Sequence, residues 1–491
     1  MSTGRGSSDM QDYLGFVQFH DQYLCGGSAG GAHLPLQHQF LHHHQQGFLH
    51  ASERFAAGKD PVPDFAANPA ADQASDQDLA ACKEASEGGD DAAEAPAAAR
   101  VDDEEEARGV RMLTLLMECA VAVSVGNLGD ANGMLLELSQ MASPYAPSCG
   151  ERLVAYFARA MAARLMSSWV GVSGAPAAAP PRWAEVNAAF RAFYNVAPLA
   201  RCAHLACNQA VLEAFHGKRL AHIVDLDVVA GGALQWLSLL PALAARPGGP
   251  PVLRVTGFGA SASLLRDTGN QLAALASKLG VPFEFHAVAR RPGDAAVNNA
   301  DVLGKRHGEA VAVHWLRHAM YDAAGDDDGA VARLVRWLEP KVLTLVEPAD
   351  QRGGAGAGAG HFLDRFVSAL HHYSALFDAM GASRPAEDDA SRHLVEHGVL
   401  GREIANVLAV GGPSRSGRPE KVGCWQTELA RHGFLRAGGG GRAQMVAGAC
   451  PAGLGYTVAD DHDGTLRLGW KGTPLYAVST WTWCPSPHAQ R

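Results

Sequence analysis

The sequence has no apolar run long enough to span a bilayer, and its polar N-terminus has none of the apolar core of a signal peptide. It also lacks a disulfide framework. Nine cysteines, an odd number, are scattered through 491 residues, which is the usage of a reducing compartment. A soluble intracellular protein without membrane partners is expected. Metal ligation has little support, because the tightest set, Cys202-x-His204-x-x-Cys207, has no second pair nearby to complete four ligands. Buried thiols on a helix are the expected reading. No nucleophile elbow, Walker loop or zincin motif occurs. Nor is there a dense basic face. The longest basic runs are the pairs Lys218-Arg219, Arg290-Arg291 and Lys305-Arg306, too sparse for a protein neutralising about six to ten phosphates unaided.

What is present is an acidic arm ahead of a nearly neutral body. Residues 1–110 hold nineteen Asp/Glu against six Lys/Arg, a net of −13, whereas the whole chain is −10, which leaves +3 for residues 111–491. Seven His and seven Gln fall in residues 1–50, residues 56–100 are rich in Ala, Asp, Glu and Pro, and Asp102–Glu106 is an unbroken acidic run. Such composition buries too little apolar area to offset chain entropy, so residues 1–107 are expected to be largely disordered. The scattered Tyr13, Phe16, Phe19 and Tyr23 are candidates for a short partner-binding segment. The expected folded domain runs over residues 108–484, followed by a tail at 485–491.

From Met112 the apolar pattern is helical. Met112, Leu115, Leu116, Cys119, Ala120 and Val123 recur at i, i+3, i+4 spacing. Ala131, Met134, Leu135, Leu138 and Met141 repeat it, as do Leu153, Tyr156, Phe157, Ala160, Met161, Leu165 and Trp169. Loop signals interrupt at Gly126-Asn127, Ser143-Pro144 and Ser173–Pro181, and a further helical stretch covers Trp183–Phe215. After Lys218 the period changes. Short apolar runs at Leu220–Leu226, Val252–Thr256, Phe283–Val288, Ala310–Trp315 and Lys341–Val346 alternate with helical stretches at Leu234–Ala245, Ser263–Leu279, Ala330–Leu338 and Phe362–Met380. Alternating strands and helices predict a parallel sheet covered on both faces. Thr465–Trp470 and Leu475–Trp481 read as an antiparallel pair closing the sheet edge. The predicted fold class is α/β: a doubly wound, mostly parallel, methyltransferase-like Rossmann sheet (216–484) with antiparallel C-terminal strands, under a helical cap (108–215).

Ligands of such sheets sit beyond the carboxyl ends of the strands. The first strand ends in Asp225, Leu226 and Asp227 before Ala230-Gly231-Gly232, similar to the acidic, glycine-rich first loop of S-adenosylmethionine-dependent methyltransferases. The second strand ends Thr256-Gly257-Phe258-Gly259, without the carboxylate that would bind the ribose hydroxyls. Its continuation Ala260-Ser261-Ala262 formally fits a dinucleotide fingerprint, but the third strand ends in Ala289-Arg290-Arg291 with no acid for an NAD ribose. A tight turn with Ser261 or Ser263 capping the next helix is the simpler reading. His314, His318, Asp322 and Glu347 near other strand ends are a candidate polar pocket. No catalytic residue, metal or cofactor is expected.

Several ordered segments resemble the plant GRAS family, in its scarecrow-like branch. Ala221-His222-Ile223-Val224-Asp225 resembles the VHIID motif, and Leu226-Asp227-Val228-Val229, Leu234-Gln235-Trp236 and Ala245–Pro251 continue it. Leu113–Ala120 and Leu153–Ser168 look like the first leucine-rich region, and Ser263–Leu279 like the start of the second. Pro340, Phe362–Met380 and Arg402-Glu403 are similar to the PFYRE region; Trp425, Gly433-Phe434, Leu468-Gly469-Trp470 and Thr480-Trp481 are similar to the SAW region. There are departures: Ala221 stands where the family usually has Val, Ala230–Ala233 lengthens the first loop, and Ala355–Gly360 is a Gly/Ala insertion.

The resemblance implies a nuclear regulator of transcription in plant development and tissue patterning, acting through protein–protein contacts rather than catalysis. Implied partners are other GRAS proteins, in a homodimer or a short-root-type heterodimer, and zinc-finger DNA-binding factors, with DNA engaged mainly indirectly. Candidate partner-binding residues are Met112, Leu115, Leu116, Cys119, Met134, Leu135 and Leu138. His222, Ile223, Asp225, Arg402, Glu403, Trp425, Trp470 and Trp481 are expected to be packing and polar anchors. Arg254, Arg266, Arg290 and Arg291 are the candidates for DNA contact. The competing readings are an autonomous DNA-binding factor and a nucleotide- or S-adenosylmethionine-dependent enzyme on the same sheet.

Overall fold

Ala and Glu are among the strongest helix formers, and they carry a helix back into the acidic segment. In the computed structural model, α1 spans Ala97–Ser124, so residues 97–107 are helical where the composition predicted disorder. The described residues are 97–170, 182–228, 232–292, 303–320, 328–349, 362–382, 389–409, 425–438, 441–451 and 453–484. The expectations for residues 1–96, the Ser173–Pro181 loop, the Ala355–Gly360 insertion and the 485–491 tail lie outside them. From Met112 onward the described residues belong to one compact unit.

After α1 come α2 (Leu128–Met141), α3 (Cys149–Val170), α4 (Trp183–Val196) and α5 (Pro198–Ala214). Asn127 caps α2 by accepting from the Asp130 N–H, and Pro198 opens α5 where its missing N–H costs nothing. The predicted stripe of α3 faces inward: Leu153, Phe157, Met161 and Leu165 are all buried. The stripes of α1 and α2 behave likewise, with Met112, Leu116, Cys119, Leu135 and Leu138 buried.

The sheet then runs β1 (Leu220–Asp225), β2 (Val252–Phe258), β3 (Phe283–Val288), β4 (Ala310–Leu316) and β5 (Val342–Pro348), interleaved with α6 (Leu234–Ala245), α7 (Ala262–Lys278) and α8 (Asp328–Leu338). Along the sheet the order is β3-β2-β1-β4-β5-β9-β8-β7. The first five strands pair in parallel and the rest antiparallel. The expected pair is β8 (Leu466–Trp470) and β9 (Thr473–Trp483), but it does not close the edge. β7 (Tyr456–Asp460) lies outside β8, and β6 (Phe434–Arg436) pairs separately with β9. Alternation splits β1 between two cores. Ala221 and Ile223 pack with Trp236, Leu240 and Leu272, whereas Val224 packs with Val313, Leu343 and Trp425.

The cap is not confined to the N-terminal helices. After α9 (Phe362–Ala382) the chain returns to it through α10 (Asp389–Val395), a π-helical turn (Glu396–Leu400) and α11 (Gly401–Ala409). Close approach fixes this return, since a Cβ on Gly398 would lie 2.7 Å from Ala189 Cβ on α4, and one on Gly401 2.7 Å from Tyr156 on α3. A buried ion pair locks it: Arg152 Nε donates to Glu396 at 3.0 Å, with side chains 2% and 0% exposed. Arg152 Nη1 also donates to the Ala146 and Pro147 carbonyls. The short helices α12 (Trp425–Arg431) and α13 (Arg442–Ala449) complete the fold.

Candidate functional site

In an open sheet of this order the crevice forms where the strand sequence reverses, between β1 and β4. The residues at that mouth are turned toward one another. Asp225 accepts from Trp236 Nε1 at 2.8 Å and from the Asp227 N–H at 3.0 Å. Burial nevertheless pushes its carboxyl up to about 7. Asp227 holds His318 at 2.8 Å, and the His318 ring packs on Phe190 of α4 at 5.5 Å. The next residue, Ala319, donates its N–H to Glu403 of α11 at 3.0 Å and accepts from Asn406 at 2.7 Å. Tyr373 donates to the other oxygen of Glu403. Burial raises the Glu403 carboxyl above its ordinary value. Arg402, its neighbour, is half-buried. The cap thus closes over the strand ends, with α4 and α11 supplying the roof.

The two glycine-bearing loops are also occupied. A Cβ on Gly257 would meet Val228 at 2.5 Å and Phe285 at 3.1 Å, so Val228 from the first loop fills the space above the second. The Gly259 N–H, which a phosphate-binding turn would present to its ligand, donates to the carbonyls of Val288 and Arg290. Ser261 accepts from the Leu264 N–H and caps α7, as the simpler reading expected. In the lengthened Ala230–Ala233 loop Gly232 has a positive φ, +56°, and it sits beside Asn187 of α4.

Among the described residues of the candidate polar pocket, His314, His318 and Glu347 engage different partners. His314 is buried against Thr344 at 2.9 Å and packs edge-on to Trp236, and burial pulls its imidazole down to about 3. Glu347 instead reaches Arg317 at 3.3 Å and Gln426 at 3.5 Å. Asp322 is outside the described residues. Cys202, His204 and Cys207 are all buried on α5, and no cluster of three metal-ligating side chains occurs among the described residues.

His222 belongs to a different network, three residues before Asp225 on β1. Arg254 lies beside it in register on β2, donating Nη2 to His222 Nδ1 at 3.1 Å, Nη1 to the Leu303 carbonyl at 2.8 Å and Nε to Glu309 at 3.1 Å. A guanidinium can only donate, so Nδ1 must accept and the ring proton sits on Nε2, facing Thr256 Oγ1 at 2.9 Å. Burial, then the Arg254 charge, pulls His222 down to about 3. Sequence reading missed Glu309, which carries no motif of its own.

Arg254 is therefore a buried ion-pair member, with 5% side-chain exposure on both partners, and not a DNA contact. Arg266 and Arg290 are exposed and Arg291 is half-buried. Ile223 is core. Trp425 packs edge-on to Trp315 at 4.5 Å with Arg317 over both rings. Trp470 Nε1 donates to Asp378 at 2.6 Å, and Trp481 Nε1 to Ser479 at 3.0 Å. Among the candidate partner residues only Leu115 and Met134 are half-buried, the other five being core. The large exposed apolar side chains nearby are Val125, in the turn just after α1, at 74%, and Leu136 on α2, at 58%.

With the mouth filled by the chain's own side chains, calorimetric titration with S-adenosylmethionine or a dinucleotide should give no binding tighter than about 1 mM, or about −4 kcal/mol. Micromolar binding that disappears in Asp225→Asn would contradict this arrangement.

Comparison with known proteins gives one consistent answer. The chain is 45% identical to Protein SCARECROW of Arabidopsis thaliana over 384 residues, covering 76% of this chain and 56% of that one. It is 39% identical to Scarecrow-like protein 23 of the same plant over 383 residues, covering 76% of this chain and 90% of that one. It spans about half the length of the SCARECROW proteins it matches. The crystal structure of SCL7 from Oryza sativa superposes with a TM-score of 0.60 at 30% identity, over 75% of this chain and 99% of that one. A profile of the GRAS domain family matches residues 112–482, and the chain belongs to that family.

Proposed function

We propose that this protein is a nuclear, non-enzymatic regulator of transcription in plant development that works by binding other proteins. The observation that carries the reading is the filled mouth of the sheet. Asp227–His318, Phe190, Val228 and the Glu403 clamp occupy the place where an enzyme of this sheet class would hold its ligand. The family and the SCARECROW relatives favour a developmental regulator. Among the described residues no helix is long and apolar enough to cross a membrane.

Its partners in this reading are a second GRAS domain, docking on the α1–α2 surface that bears Val125 and Leu136, and a zinc-finger factor that supplies DNA sequence recognition. The charge distribution supports indirect DNA engagement. A body of +3 behind an arm of −13 offers few counterion-releasing contacts, and Arg254 is withdrawn into an ion pair. The purified chain should bind DNA weakly and with steep salt dependence, and occupy promoter fragments firmly only when a zinc-finger partner is added. Sequence-specific nanomolar binding at physiological salt without any partner would replace this reading with an autonomous DNA-binding factor.

A further inference from the structure

The sheet ends at β3, which lies outermost and is bonded to β2 on its inner side. Leu253 of β2 and Gly259 just beyond it donate their N–H groups to the carbonyls of Pro282 and Val288. Backbone groups alternate in direction along a strand. The even-numbered residues of β3 therefore bond to β2, and Phe283, Phe285 and Ala287 turn their N–H and C=O groups outward. Among the described residues no hydrogen bond reaches those outward groups. A row of this kind is a template for another strand, and natural edges are commonly blunted by proline, lysine or a bulge. β3 has none of these, and its register with β2 runs unbroken from Phe283 to Val288.

Side chains restrict what this edge accepts. Phe285 packs under α7, where a Cβ on Gly269 would lie 2.6 Å from its ring. On the opposite face Arg306 holds Glu284 at 2.7 and 2.8 Å, and His286 is half-buried. Set antiparallel to a second copy with Phe285 facing the partner's Phe285, Phe283 meets the partner's Ala287 and Glu284 meets the partner's His286. All three outward residues then fall in hydrogen-bonded pairs that exchange both N–H···O bonds. On the other face a carboxylate meets an imidazole that can donate to it. Moving the axis to residue 284 would set Glu284 against the partner's Glu284, and like charges directly opposite are destabilising. Moving it to residue 286 would place Phe283 against the partner's Ala289, beyond the end of the strand.

We propose that a second copy of this chain adds to the sheet at β3, antiparallel across a two-fold axis at Phe285. The contact is isologous, so it closes after two copies. Its axis stands perpendicular to the sheet, which runs continuously through the pair with both copies of α7 on the same face. It shares no residue with the α1–α2 surface assigned above to GRAS partners. A strand-to-strand contact of this kind suits weak, reversible association rather than a permanent interface.

Sedimentation velocity of the full chain tests this in the Leu136→Asp background, where the α1–α2 surface is disabled. That chain should still form a dimer as its concentration is raised. Adding Ala287→Pro should return it to monomer. Ala287 is exposed and its N–H points outward, so the proline removes an edge donor and leaves the ladder to β2 intact. Circular dichroism checks that the variant is folded. His286→Glu sets like charges opposite the partner's Glu284, should weaken the dimer about tenfold, and serves if the proline variant is unfolded. A Leu136→Asp chain that stays monomeric at every soluble concentration overturns the proposal. So does a dimer that a folded Ala287→Pro chain retains or, failing that variant, one that His286→Glu leaves unchanged. A Leu136→Asp chain that sediments like the parent, yet falls to monomer with Ala287→Pro, removes the α1–α2 surface and supports this one.

Discussion

Leu116→Asp should unfold the helical cap, lowering stability by about 4–6 kcal/mol, rather than merely weakening self-association. Leu116 is fully buried on α1, next to the equally buried Cys119 and Ala120. Truncating a buried leucine costs about 2–5 kcal/mol, and burying a polar group without a partner adds about 1–3 kcal/mol. Against a total stability of about 5–15 kcal/mol, few folded molecules would remain at moderate urea. Leu136→Asp, on the exposed side of the neighbouring helix, should stay within about 0.5 kcal/mol of the parent. It should act on pairing with a second GRAS domain instead. Urea unfolding midpoints of both variants, followed by sedimentation of the folded one, separate the two effects. A wild-type midpoint for Leu116→Asp would show that the stripe is an open interface after all.

Arg254→Met should be nearly as damaging, by about 3–5 kcal/mol, because it strands Glu309 without its counter-charge. The loss should depend on pH in a defined sense. Without Arg254 the buried Glu309 carboxylate has no counter-charge, a state that burial disfavours, so the penalty is small where the carboxyl is neutral and grows as pH rises. His222 works in the same direction. Its Nδ1 lies 3.7 Å from Glu309; burial, the larger cause, still holds the imidazole down, but without the Arg254 charge the ring protonates more easily at acidic pH and can pair with the carboxylate. The gap between variant and parent should therefore narrow from pH 8 to pH 5. Adding Glu309→Gln should recover much of it at pH 8. A gap independent of pH would mean that lost packing, not the stranded charge, dominates.

The sheet was readable because its evidence is local. The change of apolar period after Lys218 marked each parallel strand and the helices that follow β1, β2, β4 and β5, and the β8–β9 pair stood out between turn residues. What escaped was non-local or weakly patterned. β7 is a half-exposed edge strand of mixed residues, and β6 is three residues long, so neither carries much alternation. The return of α10, the π-helical turn and α11 to the cap depends on Gly398 and Gly401 fitting against Ala189 and Tyr156, contacts that no spacing rule anticipates. At the mouth, the missing acid after β2 showed in the sequence. The side chains that fill the space instead, Val228, Phe190 and the Glu403 clamp, emerged only from the fold.

The Arg152–Glu396 pair also sets a timetable for synthesis. Its members are 244 positions apart, so at roughly 5–20 residues per second a ribosome takes roughly 12–50 seconds to deliver the second after the first. Throughout that interval α3 exists without its counter-charge and without the helices that cover its apolar stripe. Nascent chains of this protein should therefore engage holding chaperones from the emergence of α3 until residues 389–409 clear the exit tunnel.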